Sequence, residues 1–348
     1  MPDSSHSGDS PVPSRSSSVD NGKRRVIHHS MNRRCHHNDY TGKRIYMITF
    51  LKAPEVPGFG SLCGDPSFPN GHPDAPRIIL SDMGRIIDRW LYNVHEINDN
   101  FERIRSVVMP DHAHFILYVK APTKRKLGKY IGILKAKITT DMWKQFPQYK
   151  PAKISAFAKN YNDSILLREG QLEVMKKYIE DNPRRLAIRR KYPDFFTRGI
   201  SIRLDEFEYE AYGNPFLLQK PFRFQVMVRS FWTDEEYQAH LADWLSMAKH
   251  GGIAVSPFYS KREKEVRDAI LEQGGSLIYV RKVCVKEREK PVGRFFDLCA
   301  EGRLLMINER EAPEYSKGLN REEAMRMNFH SEKIASAGVI HPIFRVKK

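Results

Sequence analysis

Apolar and polar positions along this chain switch between two periods, and the switches outline its elements. "GKRIYMITFLK" reads as a strand over residues 43–52. "APEVPGFGSLCGDPSFPNGHPDAP" follows, dense in Pro and Gly, and predicts a long loop across 53–78. In "LSDMGRIIDRWLYNVHEIN" apolar residues at 83, 86, 87, 90, 91 and 94 keep helical spacing, with Ser81 as N-cap. "FERIRSVVM" and "HAHFILYV" read as two strands joined at Pro110-Asp111. A second helix is expected over 124–146 and a short strand at "NDSILL". A third helix is expected in "REGQLEVMKKYIEDNP", stopping before Pro183.

Strand, helix, strand, strand, helix, strand, helix is the ferredoxin-like order. It predicts an α+β fold: an antiparallel sheet with helices on one face, the other face being available for a site. Beyond about residue 200 the pattern changes. A β-rich bridge precedes strands that alternate with helices, which predicts a small parallel α/β unit. The expected division is a polar, disordered segment over 1–37, a ferredoxin-like domain over 38–195, and a β-rich linker with an α/β accessory domain over 196–348.

Composition narrows the partners. With 58 Lys and Arg against 42 Asp and Glu, the formal charge is +16, which favours a polyanion such as nucleic acid. Ten of those cations fall between Lys120 and Lys153 against the single acid Asp141. A charge run is usually a solvated helix face, but this one is one-sided. It is expected to track phosphates through Lys124, Arg125, Lys126, Lys129, Lys135 and Lys137, with Arg184 and Arg185 extending it. Tyr130, Trp143, Tyr149 and Tyr161 are interleaved and are candidates for base stacking, although core packing explains some of them equally well. The long loop is read as an inert insertion in preference to a DNA contact. The four cysteines lack CxxC spacing, so neither a disulfide framework nor a zinc ribbon is indicated. The cluster Cys35-His36-His37 with Cys63 and His72 matches no standard zinc pattern. The polar N-terminal run has no apolar core of a signal peptide, and no stretch is apolar enough to span a membrane; the expectation is a cytoplasmic protein.

The chemistry concentrates in "VVMPDHAHFILYV". On a strand, residues i and i+2 share a face, so His112 and His114 project side by side while Ala113 turns into the core. Such a pair is half of a divalent metal site, or two incidental polar residues on a wet face; both readings stay open on the residues alone. Asp111 is read as a turn or supporting residue, not a ligand, with its side chain expected to point away from the histidine face. Tyr178 and Asn182, four apart, share one face of the third helix, with Met175 and Ile179 toward the core. By themselves they read as a half-buried aromatic and a helix-terminating residue.

Together, "NDYTGKRIYMITF", "VVMPDHAHFILYV", "LGKYIGILKAKITTDMWKQF" and "NYNDSILLREGQLEVMKKYIEDNP" resemble the REP-associated tyrosine transposases, of the single-tyrosine HUH transposase superfamily, over about residues 38–192. The resemblance implies His112 and His114 as ligands of Mg²⁺ or Mn²⁺, Asn182 as third ligand and Tyr178 as nucleophile. It implies single-stranded or hairpin-forming repeat DNA as substrate, nicked and rejoined through a covalent 5′-phosphotyrosine link. A free tyrosine ionises only near about pH 10, so a metal or a base must assist; no base is identified. Relatives of this fold occur as homodimers and as monomers, and the residues do not decide between them. Two alternatives remain: a domesticated nucleic-acid-binding regulator with a relict site, and a related HUH replication initiator. The retained set of His112, His114, Tyr178 and Asn182 argues against decay, and a single tyrosine in a YIxxNP helix favours the transposase branch. The strand–SPF–helix–GG–strand layout near 250–310 is similar to the Rossmann-like fold of DprA-type DNA-processing proteins. It lacks GxGxxG and a Walker lysine, which leaves an accessory binding role.

Overall fold

The computed structural model describes residues 35, 38–283, 291, 293–310 and 319–344. The expected disordered segment, apart from Cys35, lies outside the described residues, as do His36 and His37.

The N-terminal half is built on a four-stranded antiparallel sheet. Its strands are β1 (Arg44–Leu51), β4 (Phe101–Val108), β5 (His112–Val119) and β6 (Asn162–Ile165), in the order β4-β5-β1-β6. Strand alternation sends Ala113, Phe115 and Leu117 of β5, with Tyr46, Ile48 and Phe50 of β1, to one face. Helices α1 (Asp82–Tyr92) and α2 (Leu127–Gln145) cover that face with Met83, Ile87, Leu127, Ile131, Leu134, Ile138 and Met142. Ser81 caps α1 as expected, its hydroxyl accepting from the Gly84 N–H at 3.1 Å. The α+β arrangement is the expected one, with an addition. The third helix, α3 (Gln171–Lys191), lies across the opposite face, where Ile179 packs on Met47 and Ile116.

The Pro- and Gly-rich segment is not an inert loop. It forms a hairpin of β2 (Gly60–Cys63) and β3 (Arg77–Leu80), and it sends Val56 and Phe59 into the main core. The Phe59 carbonyl accepts from the Ser81 N–H at 3.1 Å. It sits so close to Gly84 that a Cβ there would lie 1.9 Å from it, so the approach requires glycine. The hairpin also braces α3, with Lys191 Nζ donating to Asp65 at 3.1 Å.

Pro183 does not end α3, which continues to Lys191. An internal proline removes the N–H that would bond the Ile179 carbonyl, a cost of about 3 kcal/mol in an isolated helix. Here the last turns are held by packing: Arg185, Ala187 and Ile188 are buried.

The second half forms a seven-stranded sheet that takes in the expected β-rich bridge instead of following it. Its order is β13 (Ile343–Phe344), β7 (Thr197–Leu204), β8 (Phe207–Gly213), β12 (Leu304–Glu309), β11 (Ser276–Val280), β10 (Ile253–Ser256), β9 (Arg223–Gln225). Strands β9 to β12 are parallel, and β8, β7 and β13 extend the sheet antiparallel. Helices α4 (Asp234–Lys249), α5 (Lys261–Glu272) and α6 (Arg294–Ala300) cover one face, and α7 (Arg321–Ser336) covers the other. Capping boxes at Thr233/Glu236, Ser260/Glu263 and Asn320/Glu323 start α4, α5 and α7. No helix among the described residues is long and apolar enough to cross a membrane.

Candidate functional site

The two imidazoles of β5 stand where strand alternation puts them. Their ring centroids are 4.5 Å apart, and Ala113 between them is fully buried on the other face. Each ring is steered by a neighbour at Nδ1. His112 Nδ1 is 2.7 Å from Asp111 Oδ1, and His114 Nδ1 is 2.7 Å from Thr49 Oγ1 on the adjacent strand. A carboxylate accepts the Nδ1–H of His112, and the threonine oxygen can do the same for His114. That tautomer carries the lone pair on Nε2, the arrangement a metal-binding imidazole needs. The Asp111 carboxylate turns toward His112 instead of away from the histidine face, because it bonds the imidazole next to it. Thr49 carried no signal in the sequence. It can be located only once the register Thr49↔His114 between β1 and β5 is known.

Helix α3 brings Tyr178 to this face. Its ring lies 5.7 Å from that of His114, edge to face. The helix is set by the Ile179 contact with the sheet and by an ion pair from Glu180 to Arg105 of β4 at 2.8 Å. Asn182, one turn on, is buried, and its Nδ2 donates to the Tyr178 carbonyl at 2.7 Å. One amide N–H is therefore used within the helix. Among the described residues no group of three or more His, Cys, Asp or Glu could hold a metal. The two imidazoles are donors of the kind a divalent transition-metal ion takes. Cys63 and His72 form no metal cluster: the thiol is 3.5 Å from the Arg77 carbonyl, and the imidazole stacks on Phe68.

Several expected DNA contacts are placed elsewhere. Lys124, Arg125, Lys126 and Lys129 are exposed, but they lie past the far end of β5, roughly 25 Å along the strand from the imidazoles. They and Lys137 belong to α2 or its approach, on the opposite side of the sheet from His112 and His114. The apolar positions of α2 had to face the main core, and that decided the side. Lys135 is drawn inward. Its ammonium donates to the Ala158 and Asn160 carbonyls at 2.7 and 2.8 Å, and burial lowers its pKa to about 8. Arg184 faces Asp297 at 3.4 Å and Asp181 at 3.6 Å. Arg185 is 6% exposed, so it is no surface phosphate contact. Burial depresses its pKa, and its NH2 donates to the Pro291 carbonyl at 2.7 Å. Tyr130 is buried against Phe101, the Trp143 indole donates to the Ile154 carbonyl, and Tyr149 and Tyr161 pack on the same core.

Residues 84–182 match the model of the IS200-like transposase family, a segment that contains both histidines and ends at Asn182. Among solved structures, the chain is similar to a REP-associated tyrosine transposase bound to a REP hairpin. That match has 12% identity over 43% of this chain and 72% of the other, with a TM-score of 0.29. It is also similar to a candidate transposase from Deinococcus radiodurans R1, at 16% identity over 42% of this chain and 97% of the other, TM-score 0.25. No curated protein matches the sequence.

Proposed function

We propose, for a chain whose residues 84–182 match the IS200-like transposase family, that it nicks and rejoins single-stranded DNA with Tyr178 as nucleophile. The observation that carries this reading is the position of Tyr178: a helix from outside the β4–β5 hairpin sets its ring against His114. A lone histidine pair has many explanations, whereas a tyrosine ring brought against that pair by a separate helix offers a nucleophile of the kind phosphodiester transfer can use.

The residues that would hold a Mg²⁺ or Mn²⁺ ion are His112, His114 and Asn182. Such a cation, when bound, neutralises charge on the scissile phosphate and polarises it. The three donors are neutral, and the Asp111 carboxylate behind His112 is the negative charge bonded to them. Asp111 and Thr49 hold the two imidazoles in orientation through Nδ1. The Tyr178 oxygen bonds to phosphorus as the bond from phosphorus to the 3′ oxygen breaks. The phenol loses its proton, and the departing 3′ oxygen gains one and becomes a free hydroxyl. One phosphodiester replaces another, so an incoming 3′-hydroxyl reverses the step and joins strands. Sequence motifs shared with REP-associated transposases support hairpin-forming repeats as the DNA. The exposed Lys124, Arg125, Lys126 and Lys129 are suited to phosphates remote from the scissile one.

The test mixes purified protein with labelled hairpin oligonucleotides and Mn²⁺ or Mg²⁺, and reads a denaturant-resistant protein–DNA adduct. The adduct should require metal and vanish in Tyr178→Phe and His112→Ala. Tight binding with no adduct on any flanking sequence would leave a nucleic-acid-binding protein with a relict site.

A further inference from the structure

Arg185 was expected to touch DNA, and the structure gives it a different surrounding. It lies two turns along α3 from Tyr178, and its guanidinium carbon is 5.4 Å from the centre of the Tyr178 ring. The same carbon is 3.9 Å from the centre of the Phe296 ring, on α6 of the C-terminal domain. The hydrogen bond to the Pro291 carbonyl comes from that domain as well. Phe296 is itself 1% exposed and stacks on Phe196 at 5.0 Å, so the ring facing Arg185 is fixed. A guanidinium held over a buried aromatic face, out of water, keeps its position more strictly than a surface arginine does.

We infer that the C-terminal α/β domain positions the tyrosine of the N-terminal site, and that Arg185, clamped between the Tyr178 and Phe296 rings, is the positioning residue through which it acts. The argument rests on three features. The apolar patch that seats α3 on the sheet has Met47, Ile116 and Ile179 as its buried residues, while Leu172, Met175 and Tyr178 of α3 are only partly buried in it. A helix carried past an internal proline needs support on its far side, and Arg184 adds a second tie from the same turn to Asp297 of α6. Finally, Arg185 touches the ring of the proposed nucleophile directly, so a shift of α6 is transmitted to Tyr178 without passing through the sheet. This inference gives the C-terminal domain a task in the reaction, and it rests on the reading of Tyr178 as nucleophile.

The experiment uses the full chain with Arg185→Met, Arg185→Lys and Phe296→Leu. Three readouts are taken: the single-turnover rate of adduct formation at saturating hairpin DNA, the DNA Kd as a function of salt, and amide hydrogen exchange over residues 175–183. Arg185→Met and Phe296→Leu should each slow adduct formation about ten- to a hundred-fold, the usual effect of a nucleophile displaced by about 1 Å. Both should leave the Kd within about twofold and the salt slope unchanged, while exchange across 175–183 rises. Arg185→Lys, which keeps the charge and loses the planar face, should recover only part of the rate. A phosphate contact would show the opposite: Arg185→Met weakens binding and lowers the salt slope by about one, Phe296→Leu does nothing, and the saturated rate is untouched. That pattern, or unchanged exchange in both variants, overturns the inference. If the wild-type chain forms no adduct, the nicking function fails instead, and the exchange measurement alone still decides whether α6 holds the tyrosine helix.

Discussion

The two faces of the N-terminal sheet are made by the same strands, yet they are built in different ways. Under α1 and α2 the side chains of Tyr46, Ile48, Phe50, Phe115 and Leu117 are completely buried in a continuous apolar core. Under α3 the alternate positions of the same strands carry Met47, Ile116, His112 and His114, and only a small apolar patch is sealed. Burial is the main support of α1 and α2, each buried large side chain contributing about 1.5–3 kcal/mol, and Asp141 of α2 adds bonds to Arg89 and Trp90 of α1. Helix α3 depends on discrete ties: Glu180 to Arg105, Lys191 to Asp65, and Arg184 and Arg185 to α6. The comparison shows how one sheet separates stability from chemistry. The face that carries the imidazoles seats its helix on fewer buried side chains, with Ile45, Ile104, Val107, Leu172 and Met175 only partly buried around them.

Substitutions on the two faces should therefore separate activity from stability, beginning with the most severe. Tyr178→Phe should reduce the covalent adduct to background and leave the urea midpoint where it was, since the ring and its packing are retained. An adduct persisting in this variant would mean that another side chain carries the DNA. On the opposite face, Phe115→Ala removes a fully buried ring that meets Phe50 edge to face at 5.4 Å. It should cost about 3–5 kcal/mol, read from urea unfolding. A loss below about 1 kcal/mol would show that this face is not the stabilising one.

Thr49→Val tests the boundary between the two. Thr49 sits in β1 between buried Ile48 and Phe50 but points to the chemical face, where it fixes His114 through Nδ1. Valine keeps the shape and β propensity, so stability should hardly move. Mn²⁺ affinity, measured by titration calorimetry, should fall about ten- to a hundred-fold, as when a supporting hydrogen bond to a metal-binding histidine is removed. Unchanged affinity would mean that His114 needs no partner, or is not a ligand.

The placement of the four candidate residues was legible in the sequence from local periods, whereas their roles come only from the resemblance to REP-associated transposases. The i, i+2 rule put His112 and His114 together, and the i, i+4 rule put Tyr178 and Asn182 on one side of α3. What was not legible came from residues far apart. The strands Gly60–Cys63 and Arg77–Leu80 are four residues each, too short for a period-2 pattern to stand out among prolines and glycines. Pro183 reads as a stop by local rules, and α3 passes it because tertiary contacts outweigh them. Arg185 looked like any member of a basic run, since a charge pattern says nothing about which distant ring folds onto it; Phe296 lies in another domain. The inward turn of Lys135 was hidden for the same reason.

Lys135 also yields the smallest of the expected effects, and one with a definite sign. Its ammonium is drawn against the edge of the apolar core, 5.7 Å from the centre of the Phe157 ring and 5.9 Å from that of Phe50. Burial lowers its pKa from 10.5 to about 8, so between those values the unfolded chain holds more of this proton than the folded one. Stability then rises with pH across that window, because the cost of burying the charge, present in full below about pH 8, disappears as the amine neutralises. Lys135→Met should be at least as stable as the natural chain at pH 7 and lose that advantage steadily from pH 8 to 10. Urea unfolding of both proteins at pH 7, 8.5 and 9.5 reads the difference. A gap that stays constant with pH would place the ammonium in water in the folded state. Lys135 would then belong with Lys129 and Lys137 as a surface cation and return to the candidates for DNA contact, whereas a gap that closes with pH assigns it to the apolar side of the sheet.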